Sequence, residues 1–277
     1  MSLIQSILKN SIILKSVKNH TATVIFCHGL GDTGDGWSDV MEMVQEKDNG
    51  HIKFILPNAP VQPVTLNNGY RMNSWYDIKS LSKRGDEDKD DVDKSRNINS
   101  GIPSERIMIG GFSQGAALSL YTFYQTKHKL AGMVALSGYL PLSPVFASFM
   151  QPTNKSQPLL MCHGMQDVVV RYEWGKMSFD LLKSNGATGD FVTYNYMGHS
   201  SSPEEISHVQ IKLSKEDPLE TLLEGLSSVL SIRKQKLNIE TPLKNFGVDS
   251  LETFQVKYFI DTNIEQDIFT ISSYNIN

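Results

Sequence analysis

Ser113, Asp167 and His199 are the side chains whose types and order could carry covalent acyl transfer. A serine hydroxyl attacks a carbonyl only when a base takes its proton; the base is usually a histidine, and a carboxylate orients it. Ser113 is the centre of Gly111-Phe112-Ser113-Gln114-Gly115, a G-x-S-x-G pattern. Those five letters recur by chance, and the flanks make them informative. The apolar run Ile107-Met108-Ile109 precedes them and the helix-compatible Ala116-Ala117-Leu118-Ser119-Leu120 follows. Strand, sharp turn, helix is the setting that lifts a serine hydroxyl off the end of a strand, and the tight backbone there calls for small neighbours. Asp167 lies in the loop after the run Leu159–Cys162, and His199 in the loop after Phe191–Tyr194. His28 and His163, beside glycines at strand ends, read as structural hydrogen-bonding residues rather than as the base.

Acyl transfer also needs donors for the negative oxygen of its tetrahedral intermediate. The loop His28-Gly29-Leu30-Gly31-Asp32-Thr33-Gly34-Asp35-Gly36 carries four glycines in nine residues, so its amides can turn inward. The amide of Gln114, just after the serine, and that of Leu30 are the expected oxyanion hole. A phosphate-binding loop is the weaker reading, because no G-x-x-x-x-G-K-[ST] pattern is present.

These residues need a frame. Short apolar runs at Thr23–Cys27, Phe54–Leu56, Ile107–Ile109, Met133–Leu136, Leu159–Cys162 and Phe191–Tyr194 are mostly continuous rather than alternating. That suits strands buried on both faces of a parallel sheet. Helix-like stretches at 36–47, 114–126, 171–184 and 203–214 lie between or after them. The alternation predicts an α/β class with a mostly parallel central sheet, whose site sits at the carboxyl ends of the strands. Asp32, Ser113, Asp167 and His199 all fall just past such ends. The charge run within 82–100 reads as a solvated loop.

A length of 277 residues allows one such domain and a small extra module. The net charge of -4 argues against a nucleic-acid partner. No apolar run reaches the roughly 18 residues of a membrane span. The start, Met1-Ser2-Leu3-Ile4-Gln5, lacks a secretory pattern, and Ser2 stands where myristoylation requires glycine. Cys27 and Cys162 both lie in apolar runs and read as buried thiols, with neither a disulfide framework nor a metal site expected. Together these favour a cytoplasmic protein.

The segments His28–Gly34, Pro63-Val64-Thr65-Leu66-Asn67, Ser74-Trp75-Tyr76-Asp77-Ile78, Gly101-Ile102-Pro103-Ser104 and Gly111–Leu120 closely resemble acyl-protein thioesterases and the related lysophospholipases and carboxylesterases. The resemblance covers about residues 20–213. It implies an α/β-hydrolase fold and a Ser113–Asp167–His199 triad. It also implies hydrolysis, without a cofactor, of long-chain acyl thioesters on protein cysteines or of lysophospholipid and carboxylic esters. Leu30, Leu66 and Trp75 match positions that wall the family's acyl channel and bind substrate; for Trp75 a core aromatic is the other reading. Three departures stand out. The stretch before Gly101-Ile102-Pro103-Ser104, helical in the family, is shorter here and polar, which predicts lower thermal stability than in intact relatives. Met165 replaces a usual aspartate, and a proline usual near Arg171 is missing. Residue 2 is serine, where mammalian members carry an acylatable cysteine.

Composition shifts near Lys215. Residues 216–277 hold ten acids against five bases, so the chain is expected to divide into a hydrolase domain, 1–215, and a small acidic helical module, 216–277. Leu219, Leu222, Leu223, Leu226, Val229 and Leu230 mark an amphipathic helix, and Asp249-Ser250-Leu251 precedes another apolar stripe. This tail resembles a truncated acyl carrier domain. The resemblance implies that Ser250 receives a phosphopantetheine arm, with acyl carrier or synthase proteins as partners. Two further readings stay open: a carrier or interaction protein with a decayed hydrolase domain, and an editing thioesterase that clears acyl carrier proteins.

Overall fold

The computed structural model describes residues 11–46, 50–80 and 103–214. The start of the chain, the charge run with the shortened stretch, and the acidic module with Ser250 lie outside the described residues. Almost all described residues belong to the first of two compact units, Met1–Lys212 and Leu213–Asn277.

That unit is built on a seven-stranded sheet in the order β1-β3-β2-β6-β7-β8-β9. The strands are β1 (Ile12–Leu14), β2 (Ala22–Cys27), β3 (Ile52–Leu56), β6 (Ile107–Phe112), β7 (Gly132–Leu136), β8 (Leu159–Gly164) and β9 (Gly189–Tyr194). Every pairing is parallel except that of β1 with β3, where Ile12 faces Leu56. Among the described residues five α-helices accompany the sheet: α1 (Ser38–Gln45), α2 (Gln114–Gln125), the single turn α3 (Ser143–Phe146), α4 (Tyr172–Ser184) and α5 (Pro203–Ser214). Strands β7 and β8 are buried along their whole length, as their unbroken apolar runs require. Helix α2 is buried continuously from Gln114 to Leu120, so its sequence shows little amphipathic contrast.

After β2 the chain runs to β3 on one side, and β6 then pairs on the other. The loops after β2 and β6 therefore diverge and leave a crevice at the carboxyl end of the sheet. Register places Cys27 beside Gly111, which brings the glycine-rich loop alongside the Ser113 turn.

The six strands expected between residues 23 and 194 and the helices expected at 36–47, 114–126, 171–184 and 203–214 are present, with boundaries shifted by a few residues, and the helices expected in the tail lie outside the described residues. Helix α1 starts at Ser38 rather than 36 because Asp35–Trp37 forms a 3-10 turn. Strand β1 has three residues, too few for a periodic signal. The hairpin of β4 (Val61–Val64) and β5 (Tyr70–Asn73) also gives no periodic signal, because Pro63 interrupts its first strand. Its turn needs left-handed backbone, which Asn68 at φ 55° and Gly69 at φ 76° provide. Cys27 and Cys162 are free and buried, and burial pushes the Cys27 thiol up to about 12.

Candidate active site

Ser113 is held by its backbone. It joins β6 to α2 at φ 54° and ψ −117°, a region that costs a non-glycine residue about 1–3 kcal/mol. Its N–H donates to the carbonyl of Leu136 on β7 at 2.9 Å, and its own carbonyl accepts from Ala117 at 3.0 Å. A Cβ at Gly115 would collide with the carbonyl of Cys27, and one at Gly111 with the backbone of Gly115. Both glycines are thus dictated by close approach of β2 and α2. Ser113 makes no side-chain cap to its helix, so the hydroxyl is available.

That hydroxyl meets His199 Nε2 at 3.0 Å, and His199 Nδ1 lies 2.7 Å from Asp167 Oδ2. With the Nδ1 proton directed at the carboxylate, Nε2 is left to accept the serine proton. Asp167 is 4% exposed, and its Oδ1 accepts the amides of Val169 and Val170, each at 2.9 Å. Burial alone would raise this carboxyl, but the N–H groups of His163, His199 and Val169 outweigh it and hold it at about 2. The acid is therefore charged at neutral pH. The two loops are tied together by Met165 N–H to Tyr194 O at 2.9 Å and Gln166 N–H to Met197 O at 3.0 Å. The Phe112 ring packs 4.8 Å from the His199 ring and 5.3 Å from Trp37, backing the imidazole.

The glycine-rich loop is pinned at Ser113. A Cβ on Gly29 would stand 3.5 Å from that of Ser113. The Ala59 N–H donates to His28 Nε2 at 3.0 Å, so Nδ1 carries the ring proton and donates it to the carbonyl of Gly29 at 2.6 Å. In a trans peptide this turns the N–H of Leu30 to the opposite side. The Trp75 indole donates to the His28 carbonyl at 2.8 Å, and Gly31 N–H to Asn73 O of β5 at 2.8 Å. The amide of Gln114, first in α2, has no acceptor within its helix. Its buried side chain accepts from Trp75 N–H at 3.1 Å and donates to Tyr76 O at 2.7 Å.

The structure thus brings Ser113, Asp167 and His199 into one hydrogen-bonded relay, with the loop of Leu30 and the start of α2 beside it. Leu30 and Leu66 are half-buried against the core, whereas Trp75 is buried at 1% exposure. Met165, at the unusual position, is exposed and contributes its backbone rather than its side chain. Arg171 sits at φ −50°, within the range a proline adopts. Sequence reasoning missed three supports: the Phe112 ring, the β4–β5 hairpin behind Gly31, and the approach of His163 to Asp167. The His-Gly pairs just past β2 and at the end of β8 were the signal for the histidines, but not for what each would face.

Among the described residues no cluster of three or more His, Cys, Asp or Glu could hold a metal ion, and no helix is long and apolar enough to cross a membrane.

Residues 8–216 match the family described as Phospholipase/Carboxylesterase. Residues 210–277 match the C-terminal ACP domain of the highly reducing polyketide synthase sdgA. Acyl-protein thioesterase 1 homolog 1 of Dictyostelium discoideum is 59% identical over 227 residues, which span 78% of this chain and 100% of the relative. Acyl-protein thioesterase 1 of Neurospora crassa is 43% identical over 224 residues, 75% of this chain and 91% of the relative. Among solved structures, Zea mays acyl-protein thioesterase 2 superposes with a TM-score of 0.66 at 33% identity, covering 74% of this chain and 97% of that one. Arabidopsis thaliana SOBER1 gives 0.64 at 29% identity, covering 70% and 98%.

Proposed function

The chain belongs to the phospholipase/carboxylesterase family and has its α/β-hydrolase fold, and from that premise we propose that it is a serine hydrolase of long-chain acyl thioesters and esters. Its substrates are S-acylated proteins, as for a palmitoyl-protein thioesterase, or lysophospholipids and carboxylic esters. The observation that carries this reading is the relay of 3.0 and 2.7 Å from Ser113 through His199 to a buried, charged Asp167.

In this reading Ser113 Oγ attacks the acyl carbonyl while His199 Nε2 takes its proton. Asp167 stabilises the imidazolium so formed and stays ionised itself. The amides of Leu30 and Gln114 hold the oxyanion. As the carbon–sulfur bond breaks, His199 returns the proton to the leaving thiol. Water, deprotonated by the same imidazole, then attacks the acyl-enzyme, and the acid leaves as Ser113 regains its proton. No cofactor enters any step. Leu30 and Leu66, with Trp75 behind them, form the apolar wall for the acyl chain. The two unpaired, buried thiols fit a reducing cytoplasm.

A fluorophosphonate probe should label the protein, and Ser113→Ala should abolish labelling and turnover. Labelling that persists in that variant would move the nucleophile elsewhere. Measured turnover also disposes of a carrier protein with a decayed hydrolase domain.

The match of residues 210–277 to a carrier domain favours an additional reading of the tail. Residues 1–215 act as the hydrolase, and residues 216–277 as a partial carrier whose Ser250 accepts phosphopantetheine. Intact mass after coexpression with a phosphopantetheinyl transferase tests it: no mass gain, or a gain that survives Ser250→Ala, sinks it. Acyl carrier proteins are then candidate partners. Turnover on an acylated carrier, compared with a palmitoylated peptide, separates editing from deacylation of proteins.

A further inference from the structure

We propose that His163 is a positioning residue for this reaction, a second histidine that holds the Asp167 carboxylate in line with His199. The proposal rests on the assignment of Asp167 as the triad acid. His163 closes the core end of the same carboxylate that His199 meets from the solvent side. Its Nε2 lies 3.4 Å from Asp167 Oδ2, and the side chains of both residues are completely buried. The same Nε2 lies 2.8 Å from the carbonyl of Val170. Both neighbours accept and neither donates, so Nε2 carries the ring proton, donates it to the Val170 carbonyl and turns its positive edge to Oδ2.

The other ring nitrogen enforces that tautomer. Nδ1 is buried with no hydrogen-bond partner among the described residues. A proton there would be an unsatisfied donor in the core, so the neutral Nε2–H form is the one that fits. The ring also has nowhere to retreat. It lies against the backbone of α4, where a Cβ on Gly175 would collide with Nδ1, and the Tyr172 ring stands edge-on at 6.0 Å. Among the described residues, the ionisable groups brought against this ring are Asp167 and Tyr172, with His199 across the carboxylate.

The consequence is geometric. Oδ1 is claimed by two backbone amides and Oδ2 by the His199 N–H at 2.7 Å, with His163 Nε2 3.4 Å from Oδ2 on its other side. The carboxylate has no rotation that keeps these three hydrogen bonds and the His163 contact together. It therefore presents Oδ2 to His199 in a single orientation, which keeps His199 Nε2 on the serine. Without the His163 N–H, Asp167 is less stabilised as an anion and Oδ2 becomes a stronger acceptor. The carboxylate then holds the His199 proton more tightly, which raises the acid limb of the rate profile.

The test uses the full chain with a long-chain acyl thioester. His163→Leu should lower kcat about tenfold, with KM within about twofold, and move the acid limb of kcat/KM upward by about half a pH unit. His163→Gln, whose amide nitrogen can reach the place of Nε2, should restore most of kcat and return the limb. A folded His163→Leu protein whose acid limb stays at the wild-type position overturns the proposal, since a purely structural role lowers rate at every pH alike. If that variant does not fold, nitrogen-15 histidine spectroscopy of the wild type decides. A His163 proton on Nε2 is the expected result, and a proton on Nδ1 alone overturns the proposal. Asp167→Asn serves as the separate control: activity retained there removes Asp167 from the triad.

Discussion

At Ser113 backbone contacts set the geometry of the reactive group, whereas at Asp167 and His199, on loops tied by backbone bonds, side-chain hydrogen bonds set it. The serine turn depends on two glycines pressed against β2 and α2, a φ of 54° and a hydrogen bond to β7. None of these can be adjusted in part, because backbone contacts at such distances either fit or clash. The acid–base half depends on shared protons: Asp167 between two histidines and two amides, and His199 between Asp167 and Ser113. Interactions of that kind weaken by degrees and respond to pH. Changes at the Ser113 turn should therefore cost fold and activity together, whereas changes around Asp167 and His199 should alter activity and its pH dependence while the fold stays.

The largest expected effect breaks the relay. Asp167→Asn should reduce kcat about 10⁴-fold with little change in melting temperature, as steady-state kinetics and calorimetry can check. A drop of less than tenfold would mean that the carboxylate is not what orients His199. Next comes the backbone half. Gly115→Ala should cost about 3 kcal/mol or more in urea unfolding and lower activity with it, because Cys27 O cannot move without opening the sheet. A variant of unchanged stability would show the elbow to be softer than argued.

A third measurement probes the edge that supports the His199 loop. Ser202 caps α5 by accepting the Glu205 amide at 3.2 Å, and the Glu205 side chain is 0% exposed. Burial pushes its carboxyl from 4.5 to about 8, against the opposing pull of the Ser202 backbone. A raised carboxyl is more easily protonated folded than unfolded. Stability on its account is therefore highest below 4.5 and is lost as pH rises to about 8. Glu205→Gln should remove that slope. The variant should melt higher than wild type at pH 8 and about equally at pH 4, and parallel melting curves across that range would refute the burial argument. The smallest effect is expected at Phe112→Leu. Loss of the ring behind His199 should lower kcat by about three- to tenfold with KM unchanged, the range of a single aromatic contact.

Much of this was legible in the chain because it is local. The turn at Ser113 follows from glycines at fixed offsets between an apolar run and a helix former. The six strands first expected are present because continuous apolar runs have few other places to go. Strand β1 and the β4–β5 hairpin escaped notice because they are short and, at Pro63, interrupted. A helix was expected over 203–214, but nothing local says that Glu205 is buried. His28 and His163 look alike in the sequence, each a histidine before a glycine after a strand. Only the fold gives one the Gly29 carbonyl and the other the Asp167 carboxylate.

The sequence by itself determined the order of the candidate relay, Ser113 then Asp167 then His199, and the strand ends from which each residue would project. Those features depend on residue types at fixed spacing, and short-range sterics act on them directly. The tertiary structure alone decided which groups meet across 32 and 86 residues of chain, at 2.7 and 3.0 Å. Those distances come from strand order and register, which place Cys27 beside Gly111 and His163 beside Thr193. Register is set by how the whole core packs, and no single stretch of the chain contains that information.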